Sequence, residues 1–198
     1  SPLVMLHLGL GAFHRAHQAV YLHELIASGD ARWCLAGGNI RPDNMELIAA
    51  LAQQGGTYTL ETITPQGRHS YTKITSIREV IPYEPTLSGL IARAADPATR
   101  IISFTVTEAG YYLDTQNRLD ASLADIVADV ATLHTGHPGS TIYGALAAML
   151  RRRMQAGAGP VTLLNCDNLR HNGERFRGGL LQFVEILGDA ALLDWVQS

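Results

Sequence analysis

LHLGLGAFHRAHQAVYLHEL, residues 6–25, begins as an apolar run, breaks at Gly9 and Gly11, and turns basic where helical spacing sets in. Val4 to Leu8 is almost wholly apolar, the mark of a strand covered on both faces. From about Ala12 to Ser28, apolar Ala16, Ala19, Val20, Leu22, Leu25 and Ile26 recur at helical spacing and stop at Gly29. The stretch therefore reads strand, glycine turn, helix. Such a turn presents backbone N–H groups with no side chain in front of them, at the positive end of a helix, which is what a phosphate needs. The third glycine of G-x-G-x-x-G is replaced by His14, which predicts either a helix lifted off the sheet or an imidazole turned toward the ligand. A glycine-softened turn with no ligand fits these residues equally well.

Arg15 tilts the balance toward an anion, because a guanidinium in the first turn of a helix opposes the macrodipole unless a negative charge sits there. His14 and His17 form an H-x-x-H pair, a spacing that can put two imidazoles on one helix face. No carboxylate or cysteine at ligand spacing accompanies the pair, so no metal is expected. His7 and His23 read as satisfied or surface histidines.

Further along, Arg32 to Gly37 is a second short apolar run and Pro42 to Gln54 a second helical pattern, which completes a βαβ-type unit. The grammar then changes. Thr57 to Ile63 and His69 to Ile74 are rich in Thr, Tyr and Ile around the turn Thr64-Pro65-Gln66-Gly67, which predicts an antiparallel hairpin. Helical patterns over Pro85–Ala95, Leu123–Leu133, Ser140–Ala156, Gly173–Leu187 and Ala190–Val196 alternate with buried-strand runs at Arg100–Val106 and Val161–Cys166. The expected fold class is α/β: a Rossmann-like, doubly wound, mostly parallel sheet with an antiparallel hairpin as insertion or edge.

The chain has 198 residues, 46% of them hydrophobic and 17% charged, enough apolar material for one core and one domain. Its net charge of −3 supplies no basic footprint for nucleic acid. No window approaches the length of a membrane span. Cys34 and Cys166 lie far apart in apolar runs and read as small buried hydrophobes, which fits a reducing, cytoplasmic setting.

An acid after the second strand is where an adenosine ribose is gripped, and Asp43 is the candidate. As a helix N-terminal acid beside Pro42 it has an alternative role. Arg41 beside it leaves some room for the 2′-phosphate of NADP, with NAD the expected cofactor. Two further polar stretches follow buried strands, Thr105 to Tyr112 and Asn165 to Gly173. They either line a ligand crevice or, for Asp167, Asn168 and Asn172, cap the next helix. A methyltransferase also binds its cofactor after a glycine-rich first turn, and a nucleotide-sensing or interaction module without catalysis is a further alternative.

Three stretches carry more than generic pattern: His7 to Ala19 (HLGLGAFHRAHQA), Thr105 to Tyr111 (TVTEAGY) and Asn165 to Gly173 (NCDNLRHNG). Together they resemble, in matching order, the signature blocks of the long-chain mannitol dehydrogenase family of polyol and uronate oxidoreductases. Within that family, Arg100 to Asp114 is most similar to the members that oxidise D-arabinitol. The resemblance implies zinc-independent hydride transfer between a polyol or ketose and NAD, with residues 1–198 as the N-terminal dinucleotide-binding domain. It implies that the turn Gly9, Leu10, Gly11, Ala12, Phe13, His14 and Arg15 meets the pyrophosphate and that Asp43 meets the adenosine ribose. Thr107 and Glu108 would lie toward the nicotinamide, and Asn168 would hydrogen-bond the reacting oxygen. The family's catalytic lysine belongs to a following helical domain, whereas the one lysine here is Lys73, in the predicted hairpin. The expectation is therefore a chain that binds cofactor but needs that second domain, outside this chain, to turn over substrate.

Overall fold

The computed structural model describes all residues, 1–198. Seven strands follow along the chain: β1 (Leu3–Leu8), β2 (Trp33–Gly38), β3 (Tyr58–Ile63), β4 (His69–Ile74), β5 (Ile77–Val80), β6 (Thr99–Phe104) and β7 (Thr162–Asn165). Between and after them run helices α1 (Ala12–Ala16), α2 (Gln18–Ala27), α3 (Met45–Gln53), α4 (Ser88–Ala94), α5 (Ala124–His134), α6 (Ile142–Gln155), α7 (Asn172–Leu187) and α8 (Ala190–Gln197), with a 3-10 turn at Glu108–Tyr111. Five strands form one parallel sheet in the order β5-β2-β1-β6-β7, while β3 and β4 pair antiparallel as a separate ribbon. The α/β Rossmann-like class expected from the sequence is the class observed.

The sheet is covered on both faces, which is why its central strands are nearly all apolar. Val4, Leu6 and Leu8 of β1 pack with Ile102 and Phe104 of β6 under α4 to α8. On the other face, Leu35 and Ile77 pack under Leu22 of α2, Leu51 of α3 and Tyr58 of the ribbon. No helix is long and apolar enough to cross a membrane.

Register fixes the crevice. Gly38 pairs with Leu8, Leu8 with Phe104, and Phe104 with Asn165, so the carboxyl ends of β2, β1, β6 and β7 stand level. Strand order reverses between β1 and β6, and ligands of doubly wound sheets bind at such a switch point.

Two local features differ from the expectation. The long first helix breaks at His17 (φ −123°, ψ −86°) because its ring Nδ1 bonds the Phe13 carbonyl at 2.7 Å, the acceptor an unbroken helix would give to its backbone N–H. The hairpin stands apart as an insertion, one of its two expected places, but one edge of the sheet is a strand that the sequence did not announce. That edge is β5, which follows β4 after two residues and reads in sequence as its continuation.

Candidate functional site

Gly9 and Gly11 turn the chain from β1 into α1, and each needs glycine for a different reason. Gly9 has φ +102°, a conformation side chains avoid. Gly11 has an ordinary φ of −79°, and a Cβ built there meets nothing within 4 Å. Neither backbone nor packing calls for glycine at 11, and the place of a side chain there is open space.

The amide inventory sharpens this. Gly9 N–H donates to the Gly38 carbonyl at 2.9 Å and Gly11 N–H to the Gly9 carbonyl at 2.8 Å. Leu10 N–H donates to Asn39 Oδ1 at 2.9 Å. The first bond within α1 is Arg15 N–H to the Gly11 carbonyl, which leaves the N–H groups of Ala12, Phe13 and His14 without a protein acceptor. The free donors of this turn are therefore the first amides of α1 and not those of the glycines. Leu10 contributes a buried core side chain.

A cavity of about 430 Å³ opens over this turn, walled by Gly9, Gly11, Ala12, Phe13 and His14, by the loop after β2 (Asn39, Ile40, Arg41, Asp43, Asn44), and by Thr105, Val106, Thr107 and Tyr112 after β6. A larger hollow of about 700 Å³ along β7 shares no residue with it. Asn39, unremarked in the sequence, holds the floor: its Oδ1 accepts from Leu10 and its Nδ2 donates to the Asp43 carbonyl at 2.9 Å. Asp43 lines the cavity with a carboxylate that makes no hydrogen bond or ion pair, and the N-cap position of α3 is held by Asn44 without a side-chain bond.

His14, where a third glycine would stand, is buried. Its ring lies flat on His7 of β1, between helix and sheet, and it lines the cavity with both nitrogens unbonded. Burial, countered by the nearby Gln18 side chain and reinforced by the Arg15 charge, lowers its pKa to about 4. His7 is fully buried: Nδ1 bonds Ser103 Oγ at 2.8 Å, while Nε2 has no partner. Arg15 lies with its guanidinium carbon 5.9 Å from the Tyr58 ring centre, and its buried Nε is likewise unpartnered. The Tyr58 hydroxyl donates to the Arg15 carbonyl, and burial pushes that phenol up to about 12.

Of the residues expected toward the reacting end, Thr107 lines the cavity, whereas Glu108 and Asn168 are exposed and do not. Their loops are tied together: the Tyr111 hydroxyl donates to Asp167 Oδ2 at 2.7 Å and accepts from Asn165 Nδ2 at 2.9 Å. Asp167 also accepts from Leu169 N–H and Asn172 Nδ2, so it shapes the loop rather than capping α7, whose cap is His171 without a side-chain bond. Cys166, expected buried, is half-buried at the end of β7. Lys73 lies in β4 opposite Thr59, outside the cavity.

The profile of the mannitol dehydrogenase Rossmann domain matches residues 4–198. A D-arabinitol 4-dehydrogenase of Klebsiella pneumoniae is 53% identical over 198 residues, all of this chain and 42% of the relative. One of Ralstonia nicotianae is 55% identical over 197 residues, covering 98% and 41%. Among solved structures, Pseudomonas fluorescens mannitol 2-dehydrogenase in ternary complex with NAD and D-mannitol superposes with a TM-score of 0.88 at 34% identity, over all of this chain and 40% of that one. The chain thus spans about two fifths of the length of these relatives. With a profile match over almost its whole length, the chain belongs to the mannitol dehydrogenase family, through that family's Rossmann domain.

Proposed function

We propose that residues 1–198 form the dinucleotide-binding domain of a polyol dehydrogenase and hold NAD in the cavity over the β1–α1 turn. One observation supports the reading: Ala12, Phe13 and His14 line the cavity with backbone N–H groups that have no protein acceptor, and the place of a side chain at Gly11 beside them is open space. The pyrophosphate would lie against those amides with His14 and Arg15 beside it. Asp43, an acceptor with no protein donor, would take the adenosine ribose hydroxyls. Thr107 and Glu108 would border the nicotinamide.

When bound, the nicotinamide exchanges a hydride with a polyol's secondary alcohol carbon or the matching ketose carbonyl. Asn168 would donate its amide N–H to the reacting oxygen, and an amide cannot accept that oxygen's proton. Lys73 is remote, so the base is assigned to the helical part of a longer, relative-like protein, and these residues bind without turning over. The free thiols of Cys34 and Cys166 suit the cytoplasm, and neither nucleic acid nor membrane is a partner in this reading.

Titration of the chain with NADH, followed by nicotinamide fluorescence, tests the assignment. Saturable enhancement, displaced by NAD and unaffected by S-adenosylmethionine, is expected, with no turnover of D-arabinitol or D-mannitol. A response to S-adenosylmethionine and none to NADH overturns it.

A further inference from the structure

Arg41 stands on the loop after β2, where doubly wound sheets place the group that reads the ribose 2′ position, and it lines the cavity. A free guanidinium there would bind a 2′-phosphate through paired N–H donors. Here it is engaged elsewhere. Arg41 Nε–H donates to the Ser140 carbonyl at 3.0 Å, and Nη2–H donates to the Tyr112 hydroxyl oxygen at 3.3 Å. The Tyr112 O–H donates in turn to Asp125 Oδ2 at 3.0 Å. With its proton committed to Asp125, that hydroxyl can only accept from the guanidinium, and the carboxylate behind it adds attraction.

Three segments meet in this chain of bonds: the loop after β2, the end of the 3-10 turn after β6, and α5 with its link to α6. Tyr112 sits in left-handed backbone conformation (φ 49°, ψ 40°), uncommon for a bulky residue. It is held there by Tyr112 N–H to the Ala109 carbonyl and Asp120 N–H to the Tyr112 carbonyl. Asp43 adds an unpartnered negative charge to the same cavity wall, which itself opposes a phosphate.

We propose that Tyr112 is a positioning residue that holds Arg41 away from a 2′-phosphate, so that the site selects NAD over NADP. The inference rests on the dinucleotide reading above. It names a determinant outside the loop that carries the acid: the discriminating arginine is present but fastened from across the cavity.

Fluorescence titrations with NADH and with NADPH, on the native chain and on Tyr112→Phe, Arg41→Ala and the double variant, decide it. Tyr112→Phe raises the affinity for NADPH relative to NADH about tenfold, the scale of one charge-assisted hydrogen bond to a phosphate. Arg41→Ala alone leaves the ratio within about twofold of native, and in the double variant the gain vanishes, as a coupled pair requires. Asp125→Asn, whose side chain does not line the cavity, moves the ratio in the same direction by less. A ratio unmoved by Tyr112→Phe while NADH still binds, or a gain that survives loss of Arg41, overturns this inference alone. Silence of the native chain toward NADH overturns the dinucleotide reading and this inference with it.

Discussion

The imidazoles of His7 and His14 lie one upon the other, ring centres 3.7 Å apart and planes 10° from parallel, where the sheet meets the first turn of α1. A Rossmann turn commonly brings helix and strand together with a third glycine; here two flat rings fill that gap. The arrangement needs both rings uncharged, since a proton on either would be buried and would face the other.

That need makes the fold acid-sensitive. Burial, then the charge of His14, holds His7 well below its ordinary value of 6.5, with the nearby Gly9 backbone opposing, and His14 is lowered to about 4. Between pH 6.5 and 4 the unfolded chain therefore binds more protons than the folded one, so stability falls as the pH is lowered through that window. The His14 shift alone corresponds to about 3 kcal/mol, fully present above pH 6.5 and lost by about pH 4. Thermal melts from pH 7 to 4 should show a declining Tm, and His14→Phe should flatten the decline. Equal slopes in the two proteins would refute the assignment.

Asn39 is expected to control both fold and site. Asn39→Ala removes the acceptor of Leu10 N–H and the donor to the Asp43 carbonyl, leaving a buried amide unsatisfied at about 1–3 kcal/mol. Asn39→Asp keeps the acceptor, loses the donor and adds a negative charge to the cavity floor. Denaturant unfolding should rank native, Asp, then Ala in falling midpoint, and NADH affinity should fall in both variants, in Asp also through charge repulsion. An Ala variant as stable as native would show that the side chain does not hold the turn.

What could be read from the sequence was local. The β1 run, the glycine turn and the hairpin each announce themselves within about ten residues, and all lie where they were expected. The break at His17 depends on one ring nitrogen reaching a carbonyl, and no periodicity records that. β5 is four residues long and separated from β4 only by Thr75 and Ser76, so its turn into the parallel sheet is decided by pairing with β2. Asn39 matters because register places Gly38 beside Leu8, a contact between residues thirty apart. The same holds for the Gly9 amide, which is taken by the Gly38 carbonyl, a neighbour that only the folded sheet supplies.

The two glycines of the turn should separate stability from binding. Gly11→Val has an allowed backbone and no neighbour within 4 Å, so the melting temperature should stay near native while NADH affinity falls at least about tenfold. Gly9→Val forces a side chain into φ +102° and should destabilise by about 1–3 kcal/mol as well as abolish binding. Calorimetry and fluorescence titration of both variants test this; NADH binding at native strength by Gly11→Val would show that the open position does not serve the phosphate.

The run Arg151-Arg152-Arg153 looks like a basic patch in sequence, yet Arg151 pairs with Asp189 at 2.9 Å and Arg153 has no exposed surface. Arg153 faces no carboxylate among its hydrogen-bond partners. Its guanidinium donates to five backbone carbonyls: Gly159 at 2.7 Å, Ala94 at 2.8 Å, Pro160 at 3.0 Å, Ala158 at 3.1 Å and Asp96 at 3.2 Å. These carbonyls close the end of α4 and the loop leading into β7, so one planar fork joins two connections entering adjacent strands, β6 and β7. A lysine carries three donors on one nitrogen and cannot reach both groups of acceptors. Arg153→Lys should therefore lower unfolding stability by about 2–4 kcal/mol, seen as a lower denaturant midpoint at unchanged slope. NADH affinity should be unaffected below the transition, because none of these carbonyls borders the cavity over the β1–α1 turn. A midpoint equal to native would mean that water satisfies the carbonyls as well as the guanidinium does, and the joint would then have no energetic role.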